Sequence, residues 1–367
     1  MNTKPISSAA TQRPAEPPPL PRVAVAAVAL LAVLNLLGAL GGGLVRLGSL
    51  PAGDHGPTGA LAVAAHGAVM MAGFFGTLIA LERAVALRRG LWVPALAAIG
   101  GLLAWGGGWW RPAEALWAVS AAGLVGLYAW AGWRRAMSLP LAVEASGAVA
   151  LLAGTLGFAF GQPDLARLGW SAFLVLTIAG ERRELTRLVR LPRWSAQAFL
   201  AGWGALALAV ALAAFGATGA AMALWWLALG ALALWLLRFD VATKQWRAKG
   251  WAGHTAICLS VGYVWLLLAA GLGLAGQPVA WHGLWLGFVM AMVFGHAPIM
   301  LPALAGWRPE PTRWALLPLA VLGASLALRT VAAPSGWATG LAVAGAGHAL
   351  AFVLFGAVMV RAVRRGR

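Results

Sequence analysis

The chain has 367 residues, of which 61% are hydrophobic and only 10% are charged. Soluble domains carry about 25% charged residues, so this composition excludes an ordinary soluble protein and indicates an integral membrane protein. The net charge of +17 does not indicate nucleic-acid binding, because the basic residues lie in loops between apolar runs. The single cysteine, Cys258, excludes an internal disulfide and a cysteine-rich metal site.

Residues 1–21 are polar and proline-rich and end in a Pro-Pro-Pro-Leu-Pro run. Such a segment buries too little apolar surface to fold, so we expect a disordered cytoplasmic tail. The apolar run that follows lacks a small-residue cleavage site and is long enough to cross a bilayer. We therefore expect a retained first helix, and one polytopic transmembrane domain over residues 22–367.

Twelve apolar runs follow one another with short loops between them. Crossing the hydrocarbon core takes ~20 mostly apolar residues. The sequence predicts an all-α integral membrane protein with about twelve transmembrane helices, near residues 23–45, 58–81, 91–109, 113–133, 140–160, 166–187, 197–215, 219–238, 253–274, 281–304, 313–328 and 336–361.

Basic residues alternate from one loop to the next. The heavily basic loops and C-terminus carry Arg83, Arg88, Arg89, Arg134, Arg135, Arg182, Arg183, Arg187, Arg190, Arg193, Lys244, Arg247, Lys249, Arg308, Arg313, Arg361, Arg364, Arg365 and Arg367. The other loops carry only Arg46, Arg111, Arg167 and Arg329. Basic loops face the cytoplasm, so we expect both termini there, in a bacterial inner membrane. An error of one helix would break this alternation.

A short sequence recurs at the inner ends of the second and sixth spans. Residues 79–83 read Ile-Ala-Leu-Glu-Arg, and residues 178–182 read Ile-Ala-Gly-Glu-Arg. The two copies are four helices apart, which favours three quasi-repeated arcs of four helices. Chance matches also arise in a chain so rich in alanine and leucine.

Three histidines fall inside predicted spans, where ionisable groups are costly and are candidates for function. His66, His296 and His348 lie on spans two, ten and twelve, at depths of ~13, ~22 and ~18 Å from the outer face. Imidazole ligates haem iron, copper and zinc. Small neighbours, Gly67 and Gly295 among them, would let a macrocycle approach. The alternative is that each histidine forms a hydrogen bond to another helix.

Other polar residues have two interpretations each. Arg83 and Arg182 either form charge pairs at the membrane surface or hold an anionic group such as a haem propionate. His254 and His282 are expected at the membrane interfaces, and His55 in a loop, although His55 could also contact a metal at the outer face.

The run His66-Gly67-Ala68-Val69-Met70 resembles the second helix of haem-copper oxidase subunit I, where an H-G-x-x-M run supplies a haem ligand. That family has twelve helices in three arcs and takes the second ligand of its low-spin haem from helix ten, which carries His296 here. Spans six and seven have no histidine, so the resemblance does not extend to the oxygen-reducing centre. In size and style the chain is also similar to the NnrS family, which is linked to haem, copper and nitric-oxide stress.

The resemblance implies a haem-binding protein, with a b-type haem and copper as a further candidate ligand, acting in electron transfer or in the response to a small gas such as nitric oxide. His66 and His296 would be axial ligands and His348 a third ligand. A redox partner protein would then be expected, and no nucleic acid. The rival functions are a twelve-helix secondary transporter without haem and an assembly or scaffold protein without chemistry of its own.

Overall fold

A computed structural model describes residues 18–50, 56–186 and 189–366, and these residues form helices and no strand. Most of the predicted tail and His55 lie outside the described residues. The helices are α1 Arg22–Arg46; α2, in three consecutive parts, Gly56–Ala68, Val69–Phe75 and Gly76–Leu87; α3 Trp92–Gly107; α4 Trp110–Arg135; α5 Leu139–Ala159; α6 Pro163–Leu185; α7 Arg193–Ala214; α8 Thr218–Phe239; α9 Gly250–Leu274; α10, in three parts, Ala280–His282, Gly283–Val289 and Met290–Ala305; α11 Leu317–Ser335; and α12 Ala338–Arg365. A four-residue helix, Ala242–Gln245, joins α8 to α9.

Ten of the described helices are long and apolar enough to cross a membrane. This confirms the prediction of an all-α, multi-pass membrane protein. The predicted third and sixth spans also occur as helices, but with a different character. Helix α3 has 16 residues, and α6 carries Asp164 in its first turn and Arg182 and Arg183 in its last.

Helices α2, α6 and α10 occupy the centre of the protein. In the most apolar stretch of α2 and of α10, 61% and 56% of the residues are buried, against 22% in α7. Nearly every residue of α6 between Leu165 and Gly180 is buried as well. The three helices contact one another. Polar groups on their shared faces are therefore shielded from lipid, which is where a membrane protein tolerates ionisable side chains.

Two of these central helices contain a seven-residue π-helical segment. In α2 it spans Val69–Phe75, and in α10 it spans Gly283–Val289. Helix α6 contacts both segments. π-Helical turns are rare and occur frequently at functional sites, because the wider turn changes which residues face a neighbouring helix.

Candidate metal centre

Glu82, Glu181 and His296 converge between the three central helices. One carboxylate oxygen of each glutamate and one ring nitrogen of His296 all lie within 4.8 Å of one another. Nε2 of His296 lies 3.7 Å from Oε1 of Glu82. That distance is too long for a hydrogen bond, so the interaction between these atoms is electrostatic.

The Nε2 atom of His296 is buried and has no hydrogen-bond partner within the described part of the chain. A buried polar atom without a partner is costly and rare, so it requires an explanation. Imidazole nitrogen and carboxylate oxygen are donors that suit zinc, iron and manganese. These metals bind such ligands at about 2.0–2.2 Å, so small side-chain rotations would close the three donors around one ion.

The two π-helical segments give Glu82 and His296 the same register. Glu82 lies 13 residues after Val69, where the segment of α2 begins, and His296 lies 13 residues after Gly283, where that of α10 begins. Both helices pack on α6 through these segments. Glu82 and His296 are consequently brought to the same level beside Glu181.

Helix α9 fixes α10 immediately before His296. Nε2 of His254 donates a hydrogen bond to the carbonyl oxygen of Phe294 at 3.1 Å, and the hydroxyl of Thr255 donates to that of Gly295 at 2.7 Å. The helices approach closely here, because a Cβ on Gly295 would lie 2.8 Å from that of Cys258. His254 is buried in this contact between α9 and α10.

Each glutamate of the centre is followed in the sequence by an arginine, and each arginine lies near a carboxylate outside the centre. Arg83 forms an ion pair with Glu144 of α5, and its guanidinium lies 4.7 Å from the centre of the Tyr128 ring. This is the charge pairing between helices that was one of the two readings of Arg83, and its partner is Glu144.

Arg182 is buried near the carboxylate of Asp240. Asp240 follows α8, outside the spanning helices. Its Oδ1 atom accepts a hydrogen bond from the backbone N–H of Ala242 at 2.6 Å, whereas its Oδ2 atom has no partner in the described residues. Burial raises the pKa of Asp240 above its usual value.

His66 and His348 lie in the half of the helix bundle opposite the basic loops, away from His296. Nδ1 of His66 donates to the carbonyl oxygen of Ala39 at 2.6 Å, and Nδ1 of His348 lies 2.8 Å from the hydroxyl of Ser325. Nε2 of His348 is buried without a partner among the described residues. Arg46, Arg329 and His282 lie close enough to interact electrostatically with these histidines.

The structure thus does not bring together the three histidines that the sequence grouped. Glu82, the neighbour of His296, lies 16 residues beyond His66 on α2, which is roughly 20 Å along the helix axis. One iron cannot be ligated by both histidines. Two of the glycines that flank these histidines also differ from expectation, because a Cβ on Gly295 or Gly347 would meet Cys258 or Ser325. A Cβ on Gly67 would meet nothing within 4 Å.

The two glutamates were not predicted to form a pair. Each is followed by an arginine at the inner end of a span, where charge pairs at the membrane surface were one interpretation of Arg83 and Arg182. The repeated Ile-Ala-x-Glu-Arg run was the signal that could have found them, since a period of four helices makes α10 the third member of the set.

A family model described as a domain of unknown function (DUF8744) matches residues 22–364 of the chain. No curated protein and no solved structure matches it. The family match covers all twelve helices almost to the last residue of α12.

Proposed function

We propose that this chain, which belongs to the DUF8744 family, is a bacterial inner-membrane protein that binds one divalent transition-metal ion between α2, α6 and α10. The observation that carries the proposal is the convergence of Glu82, Glu181 and His296, with a buried ring nitrogen that lacks a partner. Two carboxylates neutralise a divalent ion, and the imidazole gives selectivity over calcium and magnesium, which prefer oxygen ligands.

The donor set favours zinc, iron(II) or manganese over haem. The expected haem needed two histidines on opposite sides of one iron, but here the single histidine of the centre is accompanied by two carboxylates. Copper also accepts imidazole and carboxylate ligands, so it belongs among the ions to be tested.

We propose that the ion is a resident cofactor and not a transported cation. In the proposed outer half, Arg46 and Arg329 lie beside three histidines. A divalent cation that came from outside would pass these arginines, and their positive charge opposes its entry, because charges interact strongly where water is scarce. The centre lies toward the ends of α2 and α6 that carry the basic loops, so the ion would be loaded from the cytoplasm.

The proposed topology has twelve crossings in three arcs of four, with both termini cytoplasmic. It is supported by helices at all twelve predicted positions in the described part and by contact between the second, sixth and tenth helices. Reporter fusions after α11 and after α12 test it: a phosphatase that works only outside the cytoplasm should be active after Ser335 and inactive after Arg365. The reverse result would contradict the topology.

Metal titration of the full-length protein in lipid nanodiscs tests the function. The chain should bind about one zinc, manganese or iron(II) ion. Glu181→Gln and His296→Gln each remove a ligand, so affinity should fall by more than the 10–100-fold that loss of a supporting residue causes. Glu114→Gln is the matched control, because Glu114 forms an ion pair with Arg111 on α4, away from the centre. A metal affinity of His296→Gln equal to that of the wild type would refute the metal site. Flux of a radiolabelled cation across vesicles that contain the protein would refute the cofactor role.

A further inference from the structure

We propose that the outer half of the protein contains a separate binding site for a small oxyanion. The site is formed by cationic and titratable side chains from five helices, namely Arg46 of α1, His66 of α2, His282 of α10, Arg329 of α11 and His348 of α12. His282 lies close enough to interact electrostatically with each of the other four. This convergence is independent of the metal centre, which uses other residues.

Positive charge in this group lacks a counterion within the described residues. Arg329 is half-buried, and no described carboxylate forms an ion pair with it. At the inner end, in contrast, Arg83 has Glu144. An uncompensated guanidinium inside a membrane protein is costly, and a bound anion would remove that cost.

Two of the histidines use Nδ1 in a hydrogen bond within the protein, which leaves Nε2 for a ligand. Nδ1–H of His66 is used by the carbonyl oxygen of Ala39, which can only accept. Nδ1 of His348 is used by Ser325, and its Nε2 is buried without a described partner. When protonated, Nε2 of either histidine can donate a hydrogen bond to an anion, and a charge-assisted hydrogen bond is among the stronger ones.

One helix start adds to the positive potential. His282 is the third residue of α10 and therefore lies in its first turn. Backbone N–H groups and the positive end of the helix dipole favour anions at such termini. The planar guanidinium of Arg329 matches the paired oxygens of an oxyanion or carboxylate.

An anion fits this group better than a metal ion does. The three histidines are not among the described side chains whose ligand atoms lie within 4.8 Å of one another. Two arginines beside them would repel a cation. We therefore assign the ligand class as small oxyanions, with inorganic phosphate, nitrate and acetate as the probes that distinguish its members.

Isothermal titration of the full-length protein in a non-ionic detergent tests the site. At least one probe anion should bind saturably to the wild type. Arg329→Gln should weaken binding at least tenfold, and Arg329→Lys, which keeps the charge but not the fork, should weaken it less. Arg111→Gln is the control, because Arg111 is an exposed arginine elsewhere. His296→Gln should also bind normally, which separates this proposal from the metal centre.

Three outcomes would overturn the inference: no saturable binding of any probe, equal binding by Arg329→Gln, or an equal loss in Arg111→Gln. If Arg329→Gln does not fold, His348→Gln provides the test, and unchanged anion affinity in that variant would overturn it. The wild type could instead bind copper or zinc, or show a haem absorption band, and lose it in His348→Gln. That result would show a metal site at this position and would equally overturn the inference.

Discussion

Glu82 and His296 lie at equivalent positions on two different helices, with Oε1 and Nε2 3.7 Å apart. Each follows the start of a seven-residue π-helical segment by 13 residues. A carboxylate and an imidazole at matching positions give a three-helix core two different donors. Glu181 on the helix between them supplies a second carboxylate, which makes the set suitable for a transition metal.

Filling the close approach beside His296 should weaken metal binding. In Gly295→Ala the new Cβ would lie 2.8 Å from that of Cys258, so α10 must move away from α9 and carry His296 with it. We expect a loss of about 1–3 kcal/mol in stability and at least a tenfold loss in zinc affinity. Thermal unfolding and zinc titration measure both.

The matched control for this change is Gly67→Ala. Gly67 follows His66 on the central helix α2, as Gly295 precedes His296 on α10. A Cβ on Gly67 would meet nothing within 4 Å. Stability and zinc affinity should both stay at the wild-type level. A Gly295→Ala protein that behaves like Gly67→Ala would show that the α9–α10 contact does not position His296.

Breaking the ion pair between Arg83 and Glu144 on one side should cost more than removing it completely. Arg83→Met leaves Glu144, which is only 7% exposed, as a buried charge without its partner. Removing one partner of a buried pair costs roughly 3–5 kcal/mol, whereas apolar replacement of both is often neutral. Thermal unfolding should therefore rank Arg83→Met below the double variant Arg83→Met/Glu144→Met. A double variant less stable than the single one would contradict this explanation.

Asp240 should make stability depend on pH. Because burial raises the pKa of Asp240 in the folded state, the unfolded chain releases this proton first as pH rises, and folding becomes less favourable above the unfolded pKa of about 3.9. Asparagine keeps the acceptor for the N–H of Ala242 and cannot ionise. Asp240→Asn should thus unfold at a higher temperature than the wild type at pH 8, and the difference should shrink toward pH 4. A lower midpoint than the wild type at pH 8 would contradict this prediction.

The sequence could predict the helices but not which polar groups meet. Hydropathy and loop charge depend on local composition, and they located every helix end to within seven residues. Grouping His66 with His296 relied on similar depth alone, yet depth says nothing about which face of a helix a residue occupies. The π-helical segments change which residues of α2 and α10 face the neighbouring helices, and no residue pattern in the sequence predicted these segments.

The charged pairs show the same limit. Arg83 was expected to pair across helices or to bind an anion, and only the packing of α2 against α5 selects Glu144 as its partner. Arg329 is the opposite case: the sequence placed it in an outer loop, whereas the structure places it within α11, six residues before the end of that helix. Tertiary packing decides both outcomes.

X-ray absorption spectroscopy at the zinc edge, on the zinc-loaded protein in nanodiscs, tests the central claim most directly. The account predicts a first shell of one nitrogen and carboxylate oxygens at about 2.0–2.2 Å, with the imidazole signal lost in His296→Gln and retained in Glu114→Gln. A shell without imidazole, or an imidazole signal that persists in His296→Gln and disappears in His348→Gln, would contradict a metal centre formed by Glu82, Glu181 and His296.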